Sequence, residues 1–292
     1  MVLKSFHELD ESQEEQIREL EEICNLAEKP HLQSYVYLEP DDDTNQDCFY
    51  LLYEDGSLVG FLSVFAAGDE GEITAFVHPQ YRRRGFFTAM LDKASHDWKG
   101  LKSLSLVAQP ASASVPAVVK KLNASLAFSE YMMTYNKKPL PKEKVPKNYQ
   151  PVSLAKAKAA DAGKAVPLLA SLFQMEPEDA EGWFSRLCSS PDTAVYLAKA
   201  GNAVVGTGCI SIEEERMTIF AVGVKKALRG RGYGEGILRR LIEQWEQKYK
   251  NTELSAELDS GHPAAVSLFK KFGFETEIQF DYYRLPNNNF HL

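Results

Sequence analysis

Residues 228–236 read Leu228-Arg229-Gly230-Arg231-Gly232-Tyr233-Gly234-Glu235-Gly236, and they stand between an apolar, strand-like run and an amphipathic helix. Glycines at alternate positions let a backbone approach an anion closely. A helix that starts just after them adds unsatisfied N–H groups and the positive end of its dipole. Arg229 and Arg231 bring charge to the same place, so the stretch has the makings of a phosphate cradle. A dinucleotide fingerprint starting at Gly230 and Gly232 would need its third glycine where Glu235 stands, and no Gly-Lys-Ser/Thr follows for a Walker loop.

The chain around this stretch has 292 residues, enough for two ordinary domains, and its 44% hydrophobic content can supply a core for each. The composition is that of a soluble globular protein. A formal net charge of -8 and a pI of about 5.4 argue against a general nucleic-acid or anionic-membrane footprint, so local basic clusters must serve something specific. Cys24, Cys48, Cys188 and Cys209 show neither close pairing nor histidines at ligand spacing, which predicts small buried thiols in a reducing cytoplasm and no metal site. Neither a leader-like start nor a run of membrane-spanning length is visible, and a cytoplasmic location is expected.

Hydrophobic periodicity predicts a helix over 12–29 ending at Pro30, then a hairpin of Cys48–Tyr53 and Leu58–Ala66 turning at Glu54-Asp55-Gly56-Ser57. A strand over Glu72–Val77 leads through Arg82-Arg83-Arg84-Gly85 into a helix with Met90, Leu91, Ala94 and Trp98 on one face. A strand over Leu101–Ala108, a helix over Pro116–Ser125 and a strand over Phe128–Tyr135 complete this half. Pro139, Pro141, Pro146 and Pro151, interleaved with lysines, then mark a stiff linker.

After Val152 the order of elements begins again: a helix over Asp161–Phe173, strands over Thr193–Lys199, Val204–Ile212 and Met217–Val224, the cradle, and a helix with Ile237, Leu238, Leu241, Ile242 and Trp245 facing inward. Gly85 and Trp98 are separated by the same interval as Gly232 and Trp245. Gly60 and Gly206 stand at nearly matching distances before Arg82 and Arg229. The halves are offset copies. The expected architecture is two mixed-sheet α/β domains in tandem, 1–138 and 152–292, joined by the linker 139–151, each a largely antiparallel sheet flanked by helices.

The run Val224 to Gly234 resembles the acyl-CoA-binding segment of the GNAT N-acetyltransferase superfamily, Arg/Gln-x-x-Gly-x-Gly/Ala. Glu257 to Phe274 is similar to that superfamily's second signature, Glu-x-x-x-x-Asn-x-x-Ala-x-x-Leu-Tyr-x-Lys-x-Gly-Phe. The first half matches at Val77 and Arg82-Arg83-Arg84-Gly85, but Phe87 takes the place of the second small residue, and its downstream signature is degenerate. The tandem arrangement resembles members of the superfamily in which one domain carries the chemistry.

The resemblance implies acetyl-CoA, or another acyl-CoA, held by Arg229, Gly230, Arg231, Gly232, Tyr233, Gly234 and Glu235, with main-chain groups of Val222, Gly223 and Val224 for pantetheine and the thioester carbonyl, and with His262 beside them. A second cofactor site would use Val77, Arg82, Arg83, Arg84 and Gly85. It further implies Glu257 as the base that takes a proton from the amine. Strand parity sets Ser255, Glu257 and Asp259 opposite the core residues Leu254, Ala256 and Leu258; the competing role for Glu257 is an ordinary exposed strand carboxylate. Glu213, Glu214 and Glu215 are fallback bases or a solvated turn.

Two positions depart from the pattern. His262 replaces Asn, and with Pro263 behind it, it reads as a helix cap. Phe269 replaces the tyrosine that protonates the leaving thiolate. With a thiol pKa near 8.5, releasing thiolate at neutral pH costs only about 2 kcal/mol, so catalysis survives the loss. Tyr282 and Tyr283 are candidate substitutes, with aromatic packing as their alternative role. The function implied is N-acetylation of a small-molecule or peptide amine by a monomer or homodimer, without nucleic acid, membrane or metal. A non-catalytic acyl-CoA-binding module is the alternative.

Overall fold

A computed structural model describes residues 1–28, 32, 36, 38, 45–142, 149–213 and 215–286. Pro30, Glu214 and residues 143–148 of the expected linker lie outside these. The first half of the chain runs β1 (Val2–Phe6), α1 (Glu11–Leu26), β2 (Phe49–Glu54), β3 (Ser57–Ala67), β4 (Glu70–Val77), α2 (Phe86–Asp97), β5 (Ser103–Ala108), α3 (Val115–Leu122) and β6 (Ser125–Tyr135). The second runs β7 (Val152–Lys156), α4 (Ala162–Phe173), α5 (Pro177–Ser189), β8 (Thr193–Ala200), β9 (Ala203–Glu213), β10 (Arg216–Val224), α6 (Tyr233–Lys248), β11 (Glu253–Asp259), α7 (Pro263–Lys271) and β12 (Phe274–Arg284).

Local chemistry explains most boundaries. The Asp10 carboxylate accepts from the Gln13 amide while the Gln13 side chain accepts from Asp10 N–H, a reciprocal cap that starts α1. The β2–β3 turn places Asp55 at φ +50 and Gly56 at φ +82, the left-handed pair that a two-residue hairpin requires. Asn123 at φ +51 stops α3 earlier than expected, so β6 begins at Ser125 rather than Phe128. Three elements were not anticipated: the short strands β1 and β7, and the helix α5.

The chain forms two compact units, and they are not divided at the Pro/Lys segment 139–151: one is Met1–Ser129 with Gln279–Leu292, the other Glu130–Ile278. Chain order misled because each half contributes its last strand elsewhere. In the first unit the sheet runs β1-β2-β3-β4-β5 and is completed by the end of β12, with Asp281 opposite Ala108 and Arg284 opposite Ser105. In the second the order is β6-β11-β10-β9-β8-β7, with Ser255 opposite Thr134 and Asp259 opposite Glu130 at the β11–β6 pair. Within each unit one pair is parallel, β4 with β5 and β10 with β11, and the others are antiparallel. Each is thus the mixed, mostly antiparallel sheet with helices that the sequence predicts.

In the second unit both sheet faces are covered. Ile237, Leu238, Leu241, Ile242 and Trp245 of α6 are all buried and meet Leu254, Ala256, Leu258 and Phe269. On the other face Leu168, Leu169 and Leu172 of α4 and Phe184 of α5 meet Val195, Leu197 and Cys209. At about 1.5–3 kcal/mol per fully buried large aliphatic side chain, these two layers fix the strands that carry the site. The four thiols are free; three are buried as expected, while Cys188 is half-buried. Among the described residues no helix is long and apolar enough to cross a membrane.

Candidate active site

Beyond Ile219 and Ala256 the parallel β10–β11 ladder ends, and each strand continues without the other: β10 to Val224 beside β9, β11 to Asp259 beside β6. The strands therefore open a slot. On its β10 side the register with β9 shifts between Phe220 and Gly223, and Ala221 sits at φ +50. One extra residue is accommodated there, a bulge that turns main-chain groups of Ala221 and Val222 out of the ladder. In the first unit β4 and β5 also stop pairing, after Ile73 and Leu106, but β3 and β4 pair without a break from Ala67↔Glu70 to Gly60↔Val77. The bulge belongs to the second unit alone. Its trace in the sequence is one residue: Gly60 precedes Arg82 by 22 positions, and Gly206 precedes Arg229 by 23.

The end of β10 leads into the cradle. Arg229 lies at φ -63, ψ 153 and donates from Nε to Val224 O at 3.1 Å; Gly230 and Gly232 lie at φ +74 and +87. The first intrahelical bond is Gly236 N–H to Gly232 O, so the amides of Tyr233, Gly234 and Glu235 are left for a ligand. A Cβ on Gly230 would meet nothing within 4 Å, whereas one on Gly234 would touch Leu268 at 3.4 Å and Val224 at 3.8 Å. Strand end, helix start and α7 are thus in van der Waals reach. Arg229 and Arg231 are exposed, and among the described residues no carboxylate pairs with either. An open turn with outward amides and free cations fits the diphosphate of an acyl-CoA. Glu235 contributes its amide only, because its carboxylate is paired with Lys271 of α7.

Glu257 lies one residue past the last β10–β11 pair, opposite Met132. Its side chain is solvent-exposed, as for the strand carboxylate of the alternative reading, while the protein around it still displaces part of its hydration. That loss pushes its carboxyl up to about 7; Glu130 and Glu213 push the same way and Arg216 opposes them. The other two residues of the expected polar face are engaged elsewhere. Ser255 is buried against Thr218 at 2.8 Å, and Asp259 accepts from Gly261 N–H at 2.6 Å. Arg216 is held by Glu253 at 2.9 Å.

Other expectations need correction. His262 is the N-cap of α7, but its exposed side chain makes no capping bond; its carbonyl accepts from Ala265 and Val266 instead. Tyr282 and Tyr283 fall in the first unit, opposite Val107 and Leu106 on β5. Tyr282 stacks on Phe128 at 4.3 Å, and Tyr283 donates to Asp281 at 2.9 Å; burial, and then the Asp281 carboxylate, push its phenol up to about 12. Within that unit Tyr282 is thus engaged in aromatic packing and Tyr283 in a hydrogen bond. Phe269 is fully buried and meets Phe274 edge-on at 5.0 Å.

The twin cradle keeps the backbone, but two of its three arginines are paired with carboxylates while Arg83 stays exposed. Arg82 lies at φ -60, ψ 154 and donates from Nε to Val77 O at 3.1 Å, with Arg83 at φ +67 and Gly85 at φ +84. Arg82, however, is paired with Glu28 at 2.9 Å, and Arg84 with Glu54 at 3.2 Å. Glu28 and Glu54 were not singled out in the sequence, since nothing in their local pattern ties them to the loop.

The model of the acetyltransferase (GNAT) family matches residues 14–117 and 166–274, one match in each half. The chain is 27% identical over 141 residues to the N-alpha-acetyltransferase RimI of Mycobacterium tuberculosis, covering 47% of this chain and 87% of that one. It is 24% identical over 250 residues to a mycothiol acetyltransferase of Kineococcus radiotolerans, covering 78% and 79%. Among solved structures, a GCN5-related N-acetyltransferase from Sphaerobacter thermophilus superposes with a TM-score of 0.77 at 16% identity, over 99% of this chain and 96% of that one. A tandem GNAT protein from the clavulanic acid biosynthesis pathway gives 0.70 at 13% identity, over 99% of both.

Proposed function

The chain belongs to the acetyltransferase (GNAT) family, in tandem form, and from that premise we propose that it is an acetyl-CoA-dependent N-acetyltransferase whose chemistry lies in its second unit. The observation that supports this most is the bulge at the split end of β10, with Glu257 on the facing strand, since β4 of the first unit parts from β5 without such a bulge. Bound acetyl-CoA supplies an acetyl group activated as a thioester. The amides of Tyr233, Gly234 and Glu235, with Arg229 and Arg231, hold the diphosphate. Val222 to Val224 would offer main-chain groups to the pantetheine, and an N–H of the bulge would serve the oxygen on which charge develops.

A cationic amine enters over the sheet face that carries Glu257. A Glu257 carboxylate oxygen takes its proton and frees the lone pair for attack; a carboxyl poised near 7 is half ionised at neutral pH, as a working base must be. As the C–N bond forms the C–S bond breaks, and the thiolate leaves to be protonated by solvent, since position 269 offers no hydroxyl. Phe269 favours one rival, an acyl-CoA-binding module without turnover.

The test uses Glu257→Gln, scored for CoA release with a panel of small amines and peptide N-termini and for acetyl-CoA binding by calorimetry. Binding within a few-fold of wild type with turnover down about 10²–10⁴-fold is expected. A wild type that binds acetyl-CoA but releases CoA with no amine would establish the module instead.

A further inference from the structure

In the first unit one carboxylate collects the donors that border the β4–β5 split. Glu28, just beyond α1, is 4% exposed. Its Oε1 accepts from Arg82 Nη1 at 2.9 Å and from Ser114 Oγ at 3.5 Å, and its Oε2 accepts from Ala113 N–H at 2.8 Å. Arg82 is tied to the end of β4 through Val77 O, to which Cys24 of α1 also donates at 3.4 Å. Ala113 and Ser114 lie between β5 and α3. Glu28 therefore joins groups carried by the two strands that have parted. A guanidinium, an amide and a hydroxyl converging on one buried oxyanion are the donor set of an anion site, and here the anion is the chain's own.

We propose that Glu28 seals the cofactor slot of the first unit by occupying its anion position, so that one chain binds a single acyl-CoA, in the second unit. The cradle backbone is ready for a diphosphate, since Arg82, Arg83 and Gly85 reproduce the torsions of Arg229, Gly230 and Gly232. Besides Phe87 at the position of Gly234, what differs is the pairing of Arg82. A diphosphate arriving at Arg82 meets a carboxylate already bonded there, and displacing one member of a buried ion pair is strongly unfavourable. Arg229 in the second unit bears no such partner among the described residues. The proposal rests on the proposed function only in taking the second cradle as the open site.

Unacylated CoA titrated into the full chain by calorimetry or equilibrium dialysis tests this without turnover. Wild type should bind one equivalent and Glu28→Ala two, with the added equivalent lost on adding Arg82→Glu and kept on adding Arg229→Glu. Glu28→Gln, which keeps the size and the amide contact but drops the charge, serves if the alanine variant does not fold, and it too should gain an equivalent. Two equivalents in wild type overturn the proposal, as does a folded Glu28 variant that gains none over its parent. A wild type that binds none refutes the proposed function instead, while a gain from zero to one on removing Glu28 still supports the seal.

Discussion

Glu257 sets a pH profile that can be worked out before it is measured. With its carboxyl at about 7, about a tenth is ionised at pH 6 and nine-tenths at pH 8, so kcat/KM should climb about tenfold across that interval. A carboxyl at its ordinary value of 4.5 would be almost fully ionised throughout and give no such limb. Glu257→Gln should remove the limb along with most of the rate. Glu130→Gln deletes one of the like charges that raise the group, so the limb should move to lower pH; Arg216→Met deletes the opposing charge and should move it higher.

Stability supplies an independent sign. The folded-state value lies above the unfolded one, so the stabilisation from the protonated form is complete below about 4.5 and lost as pH rises through about 7. Glu257→Gln escapes that loss and should gain on wild type between pH 5 and 8, by about 1 kcal/mol once solvent access to the carboxyl is allowed for. The assay is CoA release against pH at fixed ionic strength, with melting curves at pH 5 and 8. A limb between pH 6 and 8 that persists in Glu257→Gln, or a flat wild-type profile, would refute the role given to this residue.

Two further substitutions probe the frame of the site. Gly206→Ala drives a Cβ into the carbonyl of Gly223 and to 3.0 Å from Ile237, so it should cost about 1–3 kcal/mol, lower the melting temperature and weaken acetyl-CoA binding; Gly60→Ala in the first unit meets the flexible end of Met90 at 3.0 Å and the Leu52 Cβ at 3.3 Å, with no backbone carbonyl in the way, and should cost less and leave binding intact. Phe269→Ala empties a fully buried site and should cost about 3–5 kcal/mol in denaturant unfolding, whereas a cost under about 1 kcal/mol would show that Phe269 is not part of the core.

The cradle was legible because its chemistry is local: glycine spacing, flanking arginines and an amphipathic helix lie within one short segment. The same holds for the face of α6, where every residue expected inside is buried. Features made by distant residues were not legible. The exchange of β6 and β12 leaves each half with the expected strand pattern, and alternation in a strand does not name its neighbour. Tyr282 and Tyr283 were misplaced for that reason. Glu28 reaches Arg82 across 54 residues and Ala113 across 85, and only the fold brings those groups together. The bulge lies between these cases, since the one-residue mismatch between the repeats marks it but does not say which strand bends.

The strand exchange also sets an order of events during synthesis. β5 of the first unit finds its partner in residues 281–284, so Ala108 must wait for Asp281, which follows it by 173 positions. At 5–20 residues per second that interval is on the order of 9–35 s. Throughout it one edge of β5 stands open, the state in which a strand pairs with whatever chain is nearby. The half that leaves the ribosome first therefore closes its sheet only after nearly all of the second half has followed it.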